Sequence, residues 1–343
     1  MKINMQKWSD DIIAGKEIKN LPILYFPVLK NIGMSVIDSI SEPDNIAEVM
    51  KEVIDEYPDT IAAITGMDLT VDTEAFGGVV NYSEKQAPNI KIHPAKTPAD
   101  IMALKVPDIH SGRVDIFNEA VTRASGLIQD RPVMGGMLGP FSLAADIIEV
   151  TDAMMMTIKD RETLKVLLDK TTEWLIKRAQ GYKNAGANGV LIAEPTAGLL
   201  KPSVLDELSS QYIKKIVDAV QDDYFFVILH DCGRVTKSVE SMYNTGCKGH
   251  SYGNGVDMKD ILPQIPADIL VLGNLDPSEV FFMGTPDEVG EKTRMLLEEM
   301  KDYPHFVLSS GCDLAPAVSN ENIEAYFEAC RRFNEEQKQD TKI

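Results

Sequence analysis

Short apolar runs alternate along the chain with longer segments of helical periodicity. The apolar runs are Ile23–Leu29, Ile61–Thr65, Pro132–Leu138, Gly189–Ala193, Phe225–His230, Lys248–Tyr252, Ile269–Gly273 and Phe306–Ser310. Most are continuously apolar, the pattern of parallel strands covered on both faces. Between them, Asp160–Ala185 carries Leu164, Leu167, Leu168, Thr171, Leu175 and Ile176 at helical spacing and ends in a glycine-rich stop. Pro202–Val220 predicts a second helix with proline near its start. Thr285-Pro286-Asp287-Glu288 predicts the start of a helix reaching Met300, with a threonine cap, an early proline and acids in the first turn. Ser319–Phe333 predicts a last helix with Ile323, Phe327 and Cys330 on one face.

Strands alternating with helices on this scale imply βαβ units with right-handed crossovers. Eight such strands predict an α/β fold, a single (β/α)8 TIM-type barrel domain over 1–343. No G-x-G-x-x-G follows an early strand, which weakens an open dinucleotide-binding sheet. Residues 1–55 read as an N-terminal helical cap plus the first strand. Residues 66–100 read as a long loop or β-insertion at the barrel mouth. Long βα loops gather on the C-terminal face, where the active sites of such barrels lie.

Composition narrows the function classes. Hydrophobic residues make up 44% and charged residues 25% of 343 positions, which excludes a disordered or collagen-like chain. The formal net charge of −19 disfavours partnership with nucleic acid or an anionic membrane surface. No stretch is apolar enough to span a membrane, and the N-terminus lacks the apolar core of a signal peptide. Four cysteines, Cys232, Cys247, Cys312 and Cys330, are too sparse for a disulfide scaffold. A reducing, cytoplasmic location is expected.

The strongest chemical signal is Phe225–Gly233, which ends in His230-Asp231-Cys232-Gly233. Residues i and i+2 of an extended chain share a side, so His230 and Cys232 can converge where this strand opens onto the C-terminal face. Alone, the pair also fits a buried core histidine beside a buried cysteine. Phe306–Asp313 changes that weighting, because Cys312 lies just past the end of the last predicted strand, on the same face. One imidazole and two thiolates are ligand types that Zn²⁺ takes, and three of them leave the fourth position open for substrate. Cys330 sits on the apolar stripe of the last helix, Cys247 and His305 at the far ends of their strands, and His93 and His110 in charged loops. His250, in Gly249-His250-Ser251-Tyr252, is a reserve ligand or a substrate contact. Glu194 ends the preceding strand; it fits a fourth ligand, a partner of the ligands, a substrate contact or a loop cap.

Zn²⁺ with two thiolates and one imidazole is formally neutral. Such a centre is better suited to holding an incoming thiol as thiolate than to activating water. The matched reaction is attack of that thiolate on an electrophilic methyl group.

His230-Asp231-Cys232-Gly233 with Cys312 eighty positions on resembles the H-x-C…C motif of the methylcobalamin:coenzyme M methyltransferases, within the uroporphyrinogen decarboxylase superfamily. Gly135–Phe141, Glu194-Pro195-Thr196-Ala197, Gly273-Asn274-Leu275-Asp276-Pro277 and the Ser319–Cys330 helix match as well. The resemblance runs from about residue 20 to 335; GNLDP speaks for the fold, and H-x-C…C for the activity. It implies a (β/α)8 barrel, zinc held by His230, Cys232 and Cys312, and methyl transfer from a methylcorrinoid, presented by a separate carrier protein, to a small thiol such as coenzyme M. Glu194, His250, Tyr252 and Asn274 are the candidate substrate contacts. Two segments depart from the pattern: Glu194 stands where the family usually has Asp, and His250–Gly255 replaces a simpler turn.

The decarboxylase is the nearest alternative on the same fold. The resemblance implies that it needs Arg and Asp in an N-terminal loop, and Leu21–Gly33 contains neither. A third reading is a non-catalytic binder of a corrinoid carrier. Met154-Met155-Met156, Leu199-Leu200 and Phe281-Phe282-Met283 support docking of such a partner.

Overall fold

The computed structural model describes residues 2–340, so the outermost positions of the expected 1–343 domain lie outside it. Eight parallel strands follow one another: β1 Lys19–Asn20, β2 Ala63–Ile64, β3 Val133–Leu138, β4 Gly189–Ala193, β5 Phe226–Asp231, β6 Gly249–Tyr252, β7 Leu270–Leu275 and β8 Phe306–Ser310. Each of β2 to β7 pairs with the next in this numbering, and β8 pairs with β1. A parallel bridge between Asn20 and Thr60 joins the two ends of the sheet. The Ile61 N–H donates to the Asn20 carbonyl across that seam at 3.0 Å. The sheet thereby closes into the expected (β/α)8 barrel, which leaves no open edge.

Two apolar layers hold the barrel. Inside, Leu21, Ile23, Ile64, Met134, Leu191, Ile228, Leu270, Leu272 and Val307 form one buried cluster. Outside, Val190, Ile192, Val227, Leu229, Val271 and Leu308 pack under the helices in the larger cluster. Neighbouring positions on each strand alternate between the two, so both faces are buried, as the continuous apolar runs required. The Met5–Ala14 helix adds Ile12 to the inner cluster, flanked by Trp8 and Ile13. Its Met5 and Gln6 N–H groups donate to the Asp223 carbonyl, ahead of β5, so the helix stoppers the N-terminal end of the barrel.

The run Ile23–Leu29 is not the first strand. That role falls to Lys19–Asn20, paired with Val307 and Leu308. Phe26–Val28 is a 3₁₀ turn containing Pro27, and it leads into a helical turn, Leu29–Ile32, that ends at Gly33 with φ 65°. Proline removes a ladder donor and pins φ, which favours a turn over a strand. Tyr25, Phe26, Val28 and Leu29 are buried all the same, so their apolarity reports burial and not pairing.

The remaining elements follow their sequence signals closely. The Arg161–Asn184 helix is capped by Asp160, and Pro286–Met300 starts with a Thr285–Glu288 capping box. Pro202–Val220 contains a wide turn, Asp206–Ser210, between the helical pieces Pro202–Leu205 and Gln211–Val220. The last helix runs Asn320–Asp340.

The segment after β2 holds the helix Thr70–Ala75, an antiparallel pair Val79–Asn81 with Asn89–Ile92, and the helix Pro98–Ala103. Buried polar contacts tie it to the barrel. Asp72 accepts from Trp174 Nε1 at 3.0 Å and from the Leu138 N–H at 3.3 Å, with Arg178 Nε at 3.6 Å. Arg113 pairs with Asp68 and with Glu74.

Candidate metal centre

Strand alternation aims His230 at the barrel axis. Ile228 belongs to the inner cluster, and His230 is the next residue on the same side of β5. Cys232 continues that side one step past the strand end. On the far side of the mouth, the Gly311 N–H donates to the Leu275 carbonyl at 2.7 Å as the chain leaves β8. A Cβ on Gly311 would stand 2.7 Å from the Asn254 nitrogen, so only glycine lets this loop press on the loop after β6. The result brings one ligand atom each of His230, Cys232 and Cys312 within 4.8 Å of one another.

The surroundings fit a soft divalent ion. His230 Nδ1 lies 2.9 Å from Ser251 Oγ, on the neighbouring strand β6. His230 Nε2 is buried and has no hydrogen-bond partner. One ring nitrogen is therefore held by a hydroxyl while the other is bare, the arrangement seen at metal-bound histidines. The two thiols face each other. The closeness of Cys312 and then of the His230 ring holds the Cys232 thiol down at about 4. The same thiol contact, followed by burial, pushes Cys312 up. Both cysteines are partly exposed, so the cluster opens to the mouth instead of being sealed. One nitrogen, two sulfurs and an open side fit a catalytic zinc site better than a closed structural one. Ser251→Ala should lower zinc affinity about 10- to 100-fold, measured by competition with a coloured chelator. Unchanged affinity would show that the hydroxyl does not set the ring.

Glu194 does not join this cluster. It is fully buried and caps the N-terminus of the Pro140–Ile148 helix, accepting from the N–H groups of Phe141 at 3.0 Å and Ser142 at 2.8 Å. Ser209, in the wide turn, donates to Oε1 at 3.1 Å. Burial raises its pKa, and the contacts from Ser142, Phe141 and Ser209 oppose that. The motif Gly139-Pro140-Phe141 is explained by the same contact: a Cβ on Gly139 would stand 2.2 Å from Glu194 Cγ.

His250 and Tyr252 are also placed away from the cluster. They flank Ser251 on β6, so when Ser251 faces His230 they must face outward. Both are buried, ring centroids 6.3 Å apart, and Tyr252 lies in the outer core. Burial pushes His250 down to about 3, leaving a neutral ring. Asn274 serves the mouth indirectly: its Nδ2 donates to the carbonyls of Gly253 at 3.0 Å and Val256 at 2.8 Å, fixing the loop after β6. Ser251 is the contact that reading the sequence missed, and the alternation along Gly249–Tyr252 was the signal that could have found it.

The other candidates stay apart from the site. Burial pushes the Cys247 and Cys330 thiols up to about 12. His93 Nδ1 donates to the Asp146 carbonyl at 2.6 Å, and His110 pairs with Asp115 at 3.0 Å. Among the apolar loop residues, Leu199, Phe282 and Met283 are exposed on loops following β4 and β7, whereas Phe281 is buried. No helix among the described residues is long and apolar enough to cross a membrane.

Comparison with known proteins agrees with the fold. A methylcobamide:CoM methyltransferase (MtbA) of Methanosarcina acetivorans is 30% identical over 271 residues, 78% of each chain. A uroporphyrinogen decarboxylase of Pseudoalteromonas atlantica is 25% identical over 291 residues, 80% of this chain and 79% of the other. Among solved structures, a methyltransferase from Methanosarcina mazei superposes with a TM-score of 0.86 at 23% identity, covering 96% of this chain and 99% of that one, a likeness of fold. The model of the family described as uroporphyrinogen decarboxylase (URO-D) matches residues 13–333. With the barrel and nearly the whole length matched, the chain belongs to the uroporphyrinogen decarboxylase (URO-D) family.

Proposed function

We propose that this protein transfers a methyl group from a methylcorrinoid to a small thiol such as coenzyme M, using zinc held by His230, Cys232 and Cys312. The observation that carries this reading is the convergence of those three side chains at an open barrel mouth. Relatives named methylcobamide:CoM methyltransferases support it. Zinc, when bound, supplies the Lewis acidity that keeps a fourth, incoming sulfur as thiolate near neutral pH. The thiol gives up its proton, its sulfur bonds to the methyl carbon, and the carbon–cobalt bond breaks with its electron pair staying on the donor substrate.

The chain's own groups supply binding and orientation. Ser251 holds the His230 ring, and the Gly311 contact fixes the approach of Cys312. Leu191, Ile228 and Leu272 floor the mouth with apolar surface, which keeps water from beneath the site. Leu199, Phe282 and Met283 on the rim suit docking of a corrinoid carrier protein. A cytoplasmic setting matches the free thiols of this site.

Decarboxylation of a polycarboxylate is the second reading, because other relatives carry that name. A substrate rich in carboxylates needs several unpaired cations, and the arginines here are almost all spent on internal carboxylates. The deciding experiment incubates zinc-loaded protein with methylcobalamin and a panel of thiols and follows demethylation by absorbance. Demethylation that needs both zinc and thiol is expected. No reaction with any thiol, zinc being bound, would remove the proposal.

A further inference from the structure

Asparagine followed by glycine occurs twice in the sequence, at Asn188-Gly189 and Asn254-Gly255. The pair is chemically labile, because glycine has no Cβ to keep its backbone nitrogen away from the carbonyl carbon of the asparagine side chain. The fold treats the two pairs in opposite ways. Asn188 is buried just before β4. Its Oδ1 accepts from the Val133 N–H at 3.1 Å, and its own N–H donates to the Val133 carbonyl at 2.7 Å. On the other side, the Phe226 N–H donates to the Asn188 carbonyl at 3.0 Å, and a Cβ on Gly189 would stand 2.4 Å from the Phe226 oxygen. Strands on both sides keep this pair from turning. Asn254 and Gly255 are exposed instead, the central residues of a turn that the Val256 N–H closes onto the Gly253 carbonyl at 3.4 Å. Among the described residues the Gly255 N–H has no hydrogen-bond partner to hold it back.

The Asn254 amide also has a structural task. Its Nδ2 donates to Asp276 Oδ2, in the loop after β7. Asp276 Oδ1 in turn accepts from the N–H groups of Ser278 and Glu279, both at 2.8 Å. On the other flank, a Cβ on Gly311 would stand 2.7 Å from the Asn254 nitrogen and 3.2 Å from its Oδ1. Gly311 immediately precedes Cys312. Asn254 thus joins the loops after β6, β7 and β8 where the last of them carries Cys312.

We propose that Asn254 is a site of spontaneous deamidation, and that its conversion loosens the loop carrying Cys312. The Gly255 nitrogen bonds to Asn254 Cγ, and the side-chain amide nitrogen leaves as ammonia, taking the Gly255 proton. Water then opens the resulting cyclic imide at either carbonyl. One opening leaves aspartate; the other leaves isoaspartate, with the side-chain methylene now in the main chain. Both products replace the Nδ2 donor with a carboxylate. That carboxylate faces Asp276, so an attractive contact becomes a repulsion of like charges. Isoaspartate also lengthens the main chain where it presses on Gly311. The hydrogen bond to Asp276 is exposed to water, so it slows the first step only a little.

The test ages the full chain, free of metal, in warm, mildly alkaline buffer and follows both asparagines by peptide mass spectrometry. In the folded protein Asn254 should convert to a mixture of aspartate and isoaspartate while Asn188 stays intact. In urea, where the strands no longer protect it, Asn188 should convert as well. Gly255→Ala should slow the conversion of Asn254 severalfold. The second readout is alkylation of Cys312 by N-ethylmaleimide in fresh, aged and Asn254→Asp protein. Its rate should rise about 3- to 10-fold in the aged protein and in Asn254→Asp, the size of one lost hydrogen bond. Alkylation of Cys330, buried under the last helix, should not change. Conversion of Asn254 no faster than that of Asn188 in the folded protein would overturn the proposal. So would conversion that leaves Cys312 alkylation unchanged, or that raises Cys312 and Cys330 alike, the mark of general unfolding. Neither readout needs metal or methyl donor, so the outcome is separate from that of the function proposed above.

Discussion

Cys312→Ala protein is expected to purify without tightly bound zinc and to show no thiol-dependent demethylation above background. Cys232→Ser should behave the same way. With one sulfur gone, His230 and a single thiolate remain, too few anchors for an ion that must also leave a position open. Serine does not rescue, because its hydroxyl is a harder donor and stays protonated near neutral pH. The fold should survive. Cys232 and Cys312 are partly exposed at loop ends, outside both apolar clusters. Substitutions at such positions cost little stability. The check is metal content after dialysis, beside the demethylation assay and a melting curve. A full equivalent of zinc with parental turnover in either variant would refute the ligand set.

Glu194→Gln is expected to lower stability by about 3 kcal/mol while leaving one zinc per chain. The carboxylate accepts from two backbone N–H groups and from Ser209 in a site closed to solvent. An amide turns one acceptor into a donor, which then faces a donor it cannot pair with. The helix Pro140–Ile148 also loses a negative charge at its positive end. The readout is the urea midpoint, with the metal content of the same sample. Loss of zinc at an unchanged midpoint would return Glu194 to the role of fourth ligand.

These two residues show where reading a sequence succeeds and where it stops. Cys312 was legible because it follows the last apolar run, and the end of a parallel strand in a closed barrel has only one side on which to lie. Glu194 was equally visible as the end of its strand, but its partner was not. What its carboxylate meets depends on the helix that starts at Pro140, 54 residues earlier, and on a wide turn that brings Ser209 beneath it. The apolar run Ile23–Leu29 reads as a strand because burial and pairing look alike in composition. Pro27 was the local signal against it.

The segment Gly249–Tyr252 makes the same point at the scale of one residue. His250 looks more reactive than Ser251, yet it is Ser251 that lies opposite His230. Register decides this, and a shift of one position would exchange the two faces.

By itself the sequence determined seven of the eight strands, the helices between them, and the position of His230, Cys232 and Cys312 at one end of the barrel. Those depend on local periodicity and on which end of each strand a residue follows. The tertiary structure alone decided which face each strand residue presents, that Glu194 caps a helix, and that Ser251 meets the His230 ring. Each of these rests on contacts between segments far apart in the chain, and such contacts have no local signature.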